Sequence, residues 1–123
     1  MRVRCIKLLD SLGRPTSSSP WAKLGAVYEV LDILVESGRV SLRLVGDEST
    51  PAMFQVEMFE VVDSTIPPTW TVTSAQPGCL YFAPTAWSRP GFWEDFFDGN
   101  EKARACFEAE RKRIIDAHMI SAS

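Results

Sequence analysis

A single histidine, His118, and three cysteines, Cys5, Cys79 and Cys106, are nearly all the soft nucleophilic or metal-binding chemistry this 123-residue chain holds. The cysteines are odd in number and widely separated, without the paired spacings that bind zinc or run a redox couple. They read as reduced thiols in a cytosol. His118 stands near the C-terminus with no Gly-x-Ser-x-Gly elbow and no Cys/His pairing. Glycine-rich phosphate loops, dinucleotide fingerprints and clustered metal ligands are all lacking. No apolar run approaches the roughly 20 residues that span a bilayer. The opening Met1-Arg2-Val3-Arg4 and the short Cys5-Ile6-Lys7-Leu8-Leu9 that follows are too charged for a signal peptide. These absences argue against an enzyme, a cofactor-bearing protein and a membrane protein, and for a cytoplasmic one.

Positive charge is scarce in the middle of the chain. Residues 29–101 carry twelve acids against Arg39, Arg43 and Arg89, a balance of −9 in a chain of net charge −3. The flanks are basic, +4 over residues 1–28 and +2 over residues 102–123. Such a centre disfavours nucleic acid, whose phosphates demand a basic face. It suits either a basic protein partner or a solvated surface kept acidic for solubility.

The remaining composition, 46% hydrophobic and 24% charged, is that of one globular domain spanning residues 1–123. Residues 3–9 read as a strand. The Gly-, Pro- and Ser-rich residues 10–20 read as a long loop. Trp21 and Leu24 are expected to close one end of the core. Strands follow over 27–34, 40–45, 52–55 and 59–62, separated by turns at 36–39 and 46–51 and by a helical turn at 56–58. In the second of these, Val40, Leu42 and Leu44 alternate with Arg39, Ser41 and Arg43, so one face is buried and the other wet. Pro67 and Pro68 then end the ladder. A hairpin is expected within residues 64–86, built from strands at 70–73 and 79–83.

Residues 87–118 change to helical character. Ser88 and Pro90 signal a start and Gly99 a stop, with Phe92, Trp93, Phe96 and Phe97 forming an aromatic stripe between them. Asn100 is placed to cap a second helix from Glu101 to about Ala117. Ala103, Cys106, Phe107, Glu110, Ile114 and Ala117 keep its 3.6-residue period. Leu42, Leu44, Phe54, Val61 and Phe107 are the expected core.

The order of strand, long loop, three meander strands, helical turn and last strand over residues 1–63 resembles an SH3-like barrel. The expected fold is therefore α+β, an SH3-like antiparallel meander extended by a hairpin and followed by two helices. Gln55 and Met58 stand where peptide-binding members carry the proline and tyrosine of their polyproline groove, so the resemblance implies the fold rather than that activity. Together with the run Trp87-Ser88-Arg89-Pro90-Gly91-Phe92-Trp93-Glu94-Asp95-Phe96-Phe97-Asp98-Gly99, the meander is also similar to immunity proteins of polymorphic toxin and contact-dependent inhibition systems. That resemblance implies a cytoplasmic, non-enzymatic protein that neutralises one cognate, basic toxin domain by binding it. The alternative is a structural or regulatory adaptor, of phage or accessory origin, acting by self-assembly or protein binding. Glu57, Glu60 and Asp63, with Glu94, Asp95 and Asp98, are the candidate partner-binding acids, and Trp93 the candidate aromatic anchor. The chain is expected to be a monomer or weak dimer, with no metal, no nucleic acid and no membrane.

If no metal and no disulfide stabilise the domain, chelator and thiol reductant will each leave its melting temperature unchanged. A drop of several degrees with either would contradict this.

Overall fold

The computed structural model describes residues 1–122, with side chains through Ala117, so the side chain of His118 and the whole of Ser123 lie outside the described residues. The fold is α+β. Among the described residues, eight strands form two antiparallel sheets and two helices follow them.

Strand β1 (Arg2–Cys5) is central in a three-stranded sheet, between β2 (Val27–Glu29) and β6 (Phe59–Asp63). The larger sheet has the order β5-β4-β3-β8-β7, with β3 at Asp32–Glu36, β4 at Arg39–Val45 and β5 at Pro51–Gln55. Its other members are β7 (Trp70–Thr73) and β8 (Cys79–Pro84). Helix α1 is Phe92–Phe97 and α2 is Glu101–Ala122.

The strand expected over 27–34 is broken at Val30 and Leu31. Val30 donates its N–H to the carbonyl of Met1, just before β1 of the small sheet, whereas Leu31 donates to the Arg43 carbonyl of the large one, each at 2.9 Å. The chain thus switches sheets between two adjacent residues, and they are buried in different cores. Such corners allow one chain to serve two packed sheets. Beyond the corner, β8 takes the free edge of β3, with Ile33 opposite Phe82 and Val35 opposite Leu80. The large sheet therefore grows outward, and the two sheets do not close into the expected barrel. Strand β1 is also shorter than expected, ending at Cys5, with Leu9 and Pro15 forming an isolated bridge inside the following loop.

The large sheet separates the two cores. One face carries Leu42, Leu44 and Phe54, which pack against Val3, Cys5, Tyr28 and Phe59 of the small sheet. The opposite face carries Arg43, Tyr81 and Ala83, and there Trp87, Phe92, Phe96, Phe107 and Ile114 form the second core. Trp87 stacks on Phe107 with ring centroids 5.3 Å apart, and Phe96 lies 4.9 Å from Phe107. Asn100 caps α2 as its sequence position implies, its Oδ1 accepting the Ala103 N–H at 3.0 Å. The helix runs to Ala122, past the expected end near Ala117.

Four of the five expected core residues are buried, Leu42, Leu44, Phe54 and Phe107, whereas Val61 is 54% exposed. Val61 has the right parity, opposite the buried Val3. It sits on the edge strand of a sheet that does not close, so nothing covers it. Trp21 and Leu24 do not close the core end either, because both are exposed and Ala22 between them is buried instead.

Phe107→Ala removes the ring that Trp87, Trp93 and Phe96 share and is expected to cost about 3–5 kcal/mol in urea denaturation. Val61→Ala should cost about 0.5 kcal/mol or less. Equal losses at the two positions would contradict this packing.

Candidate functional site

Two features concentrate polar chemistry, and only one of them is open. The closed one is a ring of four side chains between the large sheet and the helices. Asp32 and Arg43 are cross-strand partners on β3 and β4, and both are buried. Arg43 Nε donates to Asp32 Oδ2 at 2.8 Å, and the Tyr81 hydroxyl donates to the same oxygen at 2.5 Å. The Trp93 indole N–H donates to the Tyr81 oxygen at 3.1 Å. The Arg43 guanidinium closes the ring by lying 3.6 Å from the centroid of the Trp93 indole, a cation–π contact in a desolvated setting.

Burial pushes the Asp32 carboxyl above its usual range, against the opposing pull of Arg43 and Tyr81. Burial, then the Asp32 charge, pushes the Tyr81 phenol upward. Asp32 Oδ1 is buried without a hydrogen bond among the described residues. A perturbed carboxyl of this kind can mark an active site. Here Asp32 has no exposed surface, and neither cleft described below is lined by any of the four residues. The ring is closed to the two clefts and joins α1, through Trp93, to the sheet.

The open feature is a groove of about 550 Å³ between the loop of residues 9–21 and the edge strand β5. Its apolar wall includes Leu9, Pro20, Trp21, Met53, Phe54 and Met58, and its rim carries the hydroxyls of Ser11, Ser18 and Ser19. The loop is held in place despite its serines. The Asp10 carboxylate accepts the backbone N–H groups of Leu12 and Arg14 at 2.9 and 3.0 Å, and the Arg14 Nε at 3.1 Å. These bonds pull the Asp10 pKa below the usual carboxylate range, the Arg14 N–H most strongly. Gln55 Nε2 ties β5 to the Asp10 carbonyl at 3.1 Å. At the other end Asp47 donates its N–H to the Trp21 carbonyl at 2.9 Å. Gly46 permits that approach, because a Cβ there would collide with the Trp21 carbonyl oxygen. Trp21, at 42% exposed, and Met53 are thus presented on a fixed frame.

The acids singled out from the sequence fall into two places. Glu57 is exposed on the 3-10 turn Val56–Met58, next to the Met58 wall of the groove. Glu60, on β6, pairs with Arg4 at 3.0 Å, and Asp63 ends that strand with its Oδ1 accepting the Thr65 N–H. These three belong to the side of the large sheet that faces the small one. Glu94, Asp95 and Asp98 lie on or beside α1, on the opposite side, so the two clusters do not form one patch. Asp95 pairs with Arg89 at 2.9 Å, which offsets some of the repulsion among the three acids. Trp93, the expected anchor, is half-buried and committed to the ring through its N–H and its face. Trp21 is the tryptophan that reaches solvent beside the groove.

Among the described residues, no three His, Cys, Asp or Glu side chains converge to hold a metal ion, and no helix is long and apolar enough to cross a membrane. Comparison with protein-family models, with characterised proteins and with solved structures finds no match.

The ring makes a pH prediction. The folded pKa of Asp32 is raised, so the protonated carboxyl favours the folded state. That contribution is complete below the unfolded value, near ~3.9, and is lost as pH rises through the folded value. Arg43→Met removes a group that holds this pKa down, and should cost about 3–5 kcal/mol at neutral pH. Its urea midpoint should fall more steeply with rising pH than the wild type's. Adding Asp32→Asn should flatten the profile and restore part of the loss. Parallel profiles in all three proteins would contradict the ring.

Proposed function

We propose that this chain is a non-enzymatic protein-binding module, an immunity protein that neutralises a cognate bacterial toxin domain by occluding it in the cytoplasm. The observation that carries the reading is the groove. It is the larger of the two clefts described, it presents an exposed tryptophan and methionine on a pinned loop and strand, and the carboxylate in its lining, Asp10, is tied into its own loop by the Leu12 and Arg14 N–H groups. Trp is enriched at binding hot spots, and Met adapts to varied partner surfaces.

The charges beside the groove are of both signs. Asp10 lines the groove, Asp47 bonds to the Trp21 backbone, and Glu57 adjoins Met58. Asp10 is paired with Arg14, and Lys7 donates its backbone N–H to the same Met58, so the support for a basic partner is the −9 balance of residues 29–101 rather than a net charge at the rim. Complementary charge raises the rate of encounter, while a buried apolar anchor slows release.

The finer likeness to an SH3-like barrel also belongs to this proposal. A first strand, a long loop, a 3-10 turn and a last strand that pairs back onto the first support it, with Cys5 opposite Phe59. The groove lies between that loop and that turn. Gln55 and Met58 form part of its lining in place of the proline and tyrosine of peptide-binding members. The expected occupant is accordingly a basic, apolar-tipped protein surface and not a polyproline helix.

The test is a pull-down with the toxin domain encoded beside this chain, followed by binding kinetics at low and high salt. Trp21→Ala should raise the dissociation rate about 30-fold, as expected for a hot spot of about 2 kcal/mol. Reversing Glu57, Glu60 and Asp63 to lysine should slow association, more so at low salt. Reversing Glu94, Asp95 and Asp98 tests the second acidic surface. Unchanged kinetics in all three proteins would overturn the proposed face. Failure to bind the neighbouring gene product would favour the adaptor.

A further inference from the structure

We propose that the free edge of β7 is a self-association site that takes a second copy of this chain by antiparallel strand pairing. The two sheets have four edge strands, β2, β6, β5 and β7. Strand β2 carries Glu29, and β6 carries Glu60 and Asp63. Strand β5 begins at a proline and lies along the pinned loop, tied to it through Gln55. Strand β7 has none of these protections. Thr71, Val72 and Thr73 are exposed, and the register with β8 runs without a bulge from Trp70 opposite Pro84 to Thr73 opposite Tyr81. Natural edges are commonly blunted by charge, proline or a bulge. Here the only such device is the strand's shortness.

Charge selects the occupant. Residues 64–88 contain no Asp, Glu, Lys or Arg, in a chain where 24% of residues are charged. A two-fold contact sets each surface against its own copy, so a charged surface meets its own sign, acids against acids in the centre of the chain and bases against bases in its flanks. The β7–β8 hairpin is free of that repulsion. A basic partner, by contrast, finds no carboxylate there to attract it. A two-fold axis through Val72 pairs Thr71 with Thr73 of the second copy and sets the two Val72 side chains face to face. Val72 is 59% exposed, and Leu80 on the same face is 41% exposed, so the pairing covers apolar surface as well as backbone. The large sheets of the two copies then run on as one. Three residues of pairing on each strand make a small interface and hence a weak dimer, the Trp70 N–H being already bonded to the Pro67 carbonyl. The inference stands apart from the toxin-binding reading, because it uses neither the groove nor the acidic clusters.

Sedimentation velocity from roughly 5 µM to 500 µM covers the affinity range of so small an interface. The wild-type chain should shift from monomer to dimer as concentration rises. Val72→Lys, at an exposed position, should raise the dissociation constant at least about tenfold by placing like charges across the axis. Added salt should recover part of that loss. Hydrogen exchange of the wild-type chain decides the matter independently of any variant, since β7 amides should gain protection with concentration while β2 and β6 amides do not. A monomer throughout the range would overturn the proposal. So would a dimer that Val72→Lys leaves unchanged and that gives β7 no added protection.

Discussion

Asp32 and Arg43 face each other across two strands inside the protein, and the contacts that gather around this pair tie the large sheet to the helical segment. A buried ion pair returns its desolvation cost only when geometry and further hydrogen bonds are good. Tyr81 supplies a second donor to the carboxylate, and Trp93 covers the guanidinium and donates to Tyr81. The four residues come from β3, β4, β8 and α1, so the ring joins the centre of the large sheet to the start of the helical segment. Through Trp93, whose ring touches both Trp87 and Phe107, it offers the aromatic core a directional contact with the sheet. An apolar contact alone would permit several seatings, because hydrophobic packing is non-directional.

The ring also accounts for what could and could not be read in the sequence. Strand alternation placed Leu42, Leu44 and Phe54 in the core, and helical period placed Phe107 there, because burial of one face imposes those periods. The same alternation assigned Arg43 to a wet face. Arginine ordinarily marks solvent, and nothing local to β4 announces that α1 will cover it. The twelve acids of residues 29–101 include Asp32, which contributes no exposed charge. Both residues have partners that lie far along the chain, with Tyr81 and Trp93 some fifty and sixty residues from Asp32. The sheet-switching corner at Val30 and Leu31 was equally hidden, since two adjacent apolar residues look alike whichever core each enters.

Of the candidate site, the sequence disclosed ingredients and not their arrangement. Glu57 and Glu94 were visible as exposed acids. That the large sheet separates their clusters follows only from the topology. Trp93 attracted notice because aromatics crowd around it, and that crowding turned out to be core packing. Trp21 is the more exposed of the two indoles. The signal that could have found it is local: it follows a serine- and proline-rich loop and precedes Gly25, a setting poor in neighbours able to bury an indole.

The account rests on the ring acting as a lock between sheet and helices, and the Trp93 indole N–H reports on it directly. Its hydrogen exchange can be followed by NMR alongside the backbone amides of β3 and β4. If the ring is the lock, this proton exchanges only through global unfolding, with the same opening free energy as the most protected strand amides. Exchange through a much cheaper local opening, with the strands still protected, would show that the helices detach while the sheet stays folded, and would contradict the account.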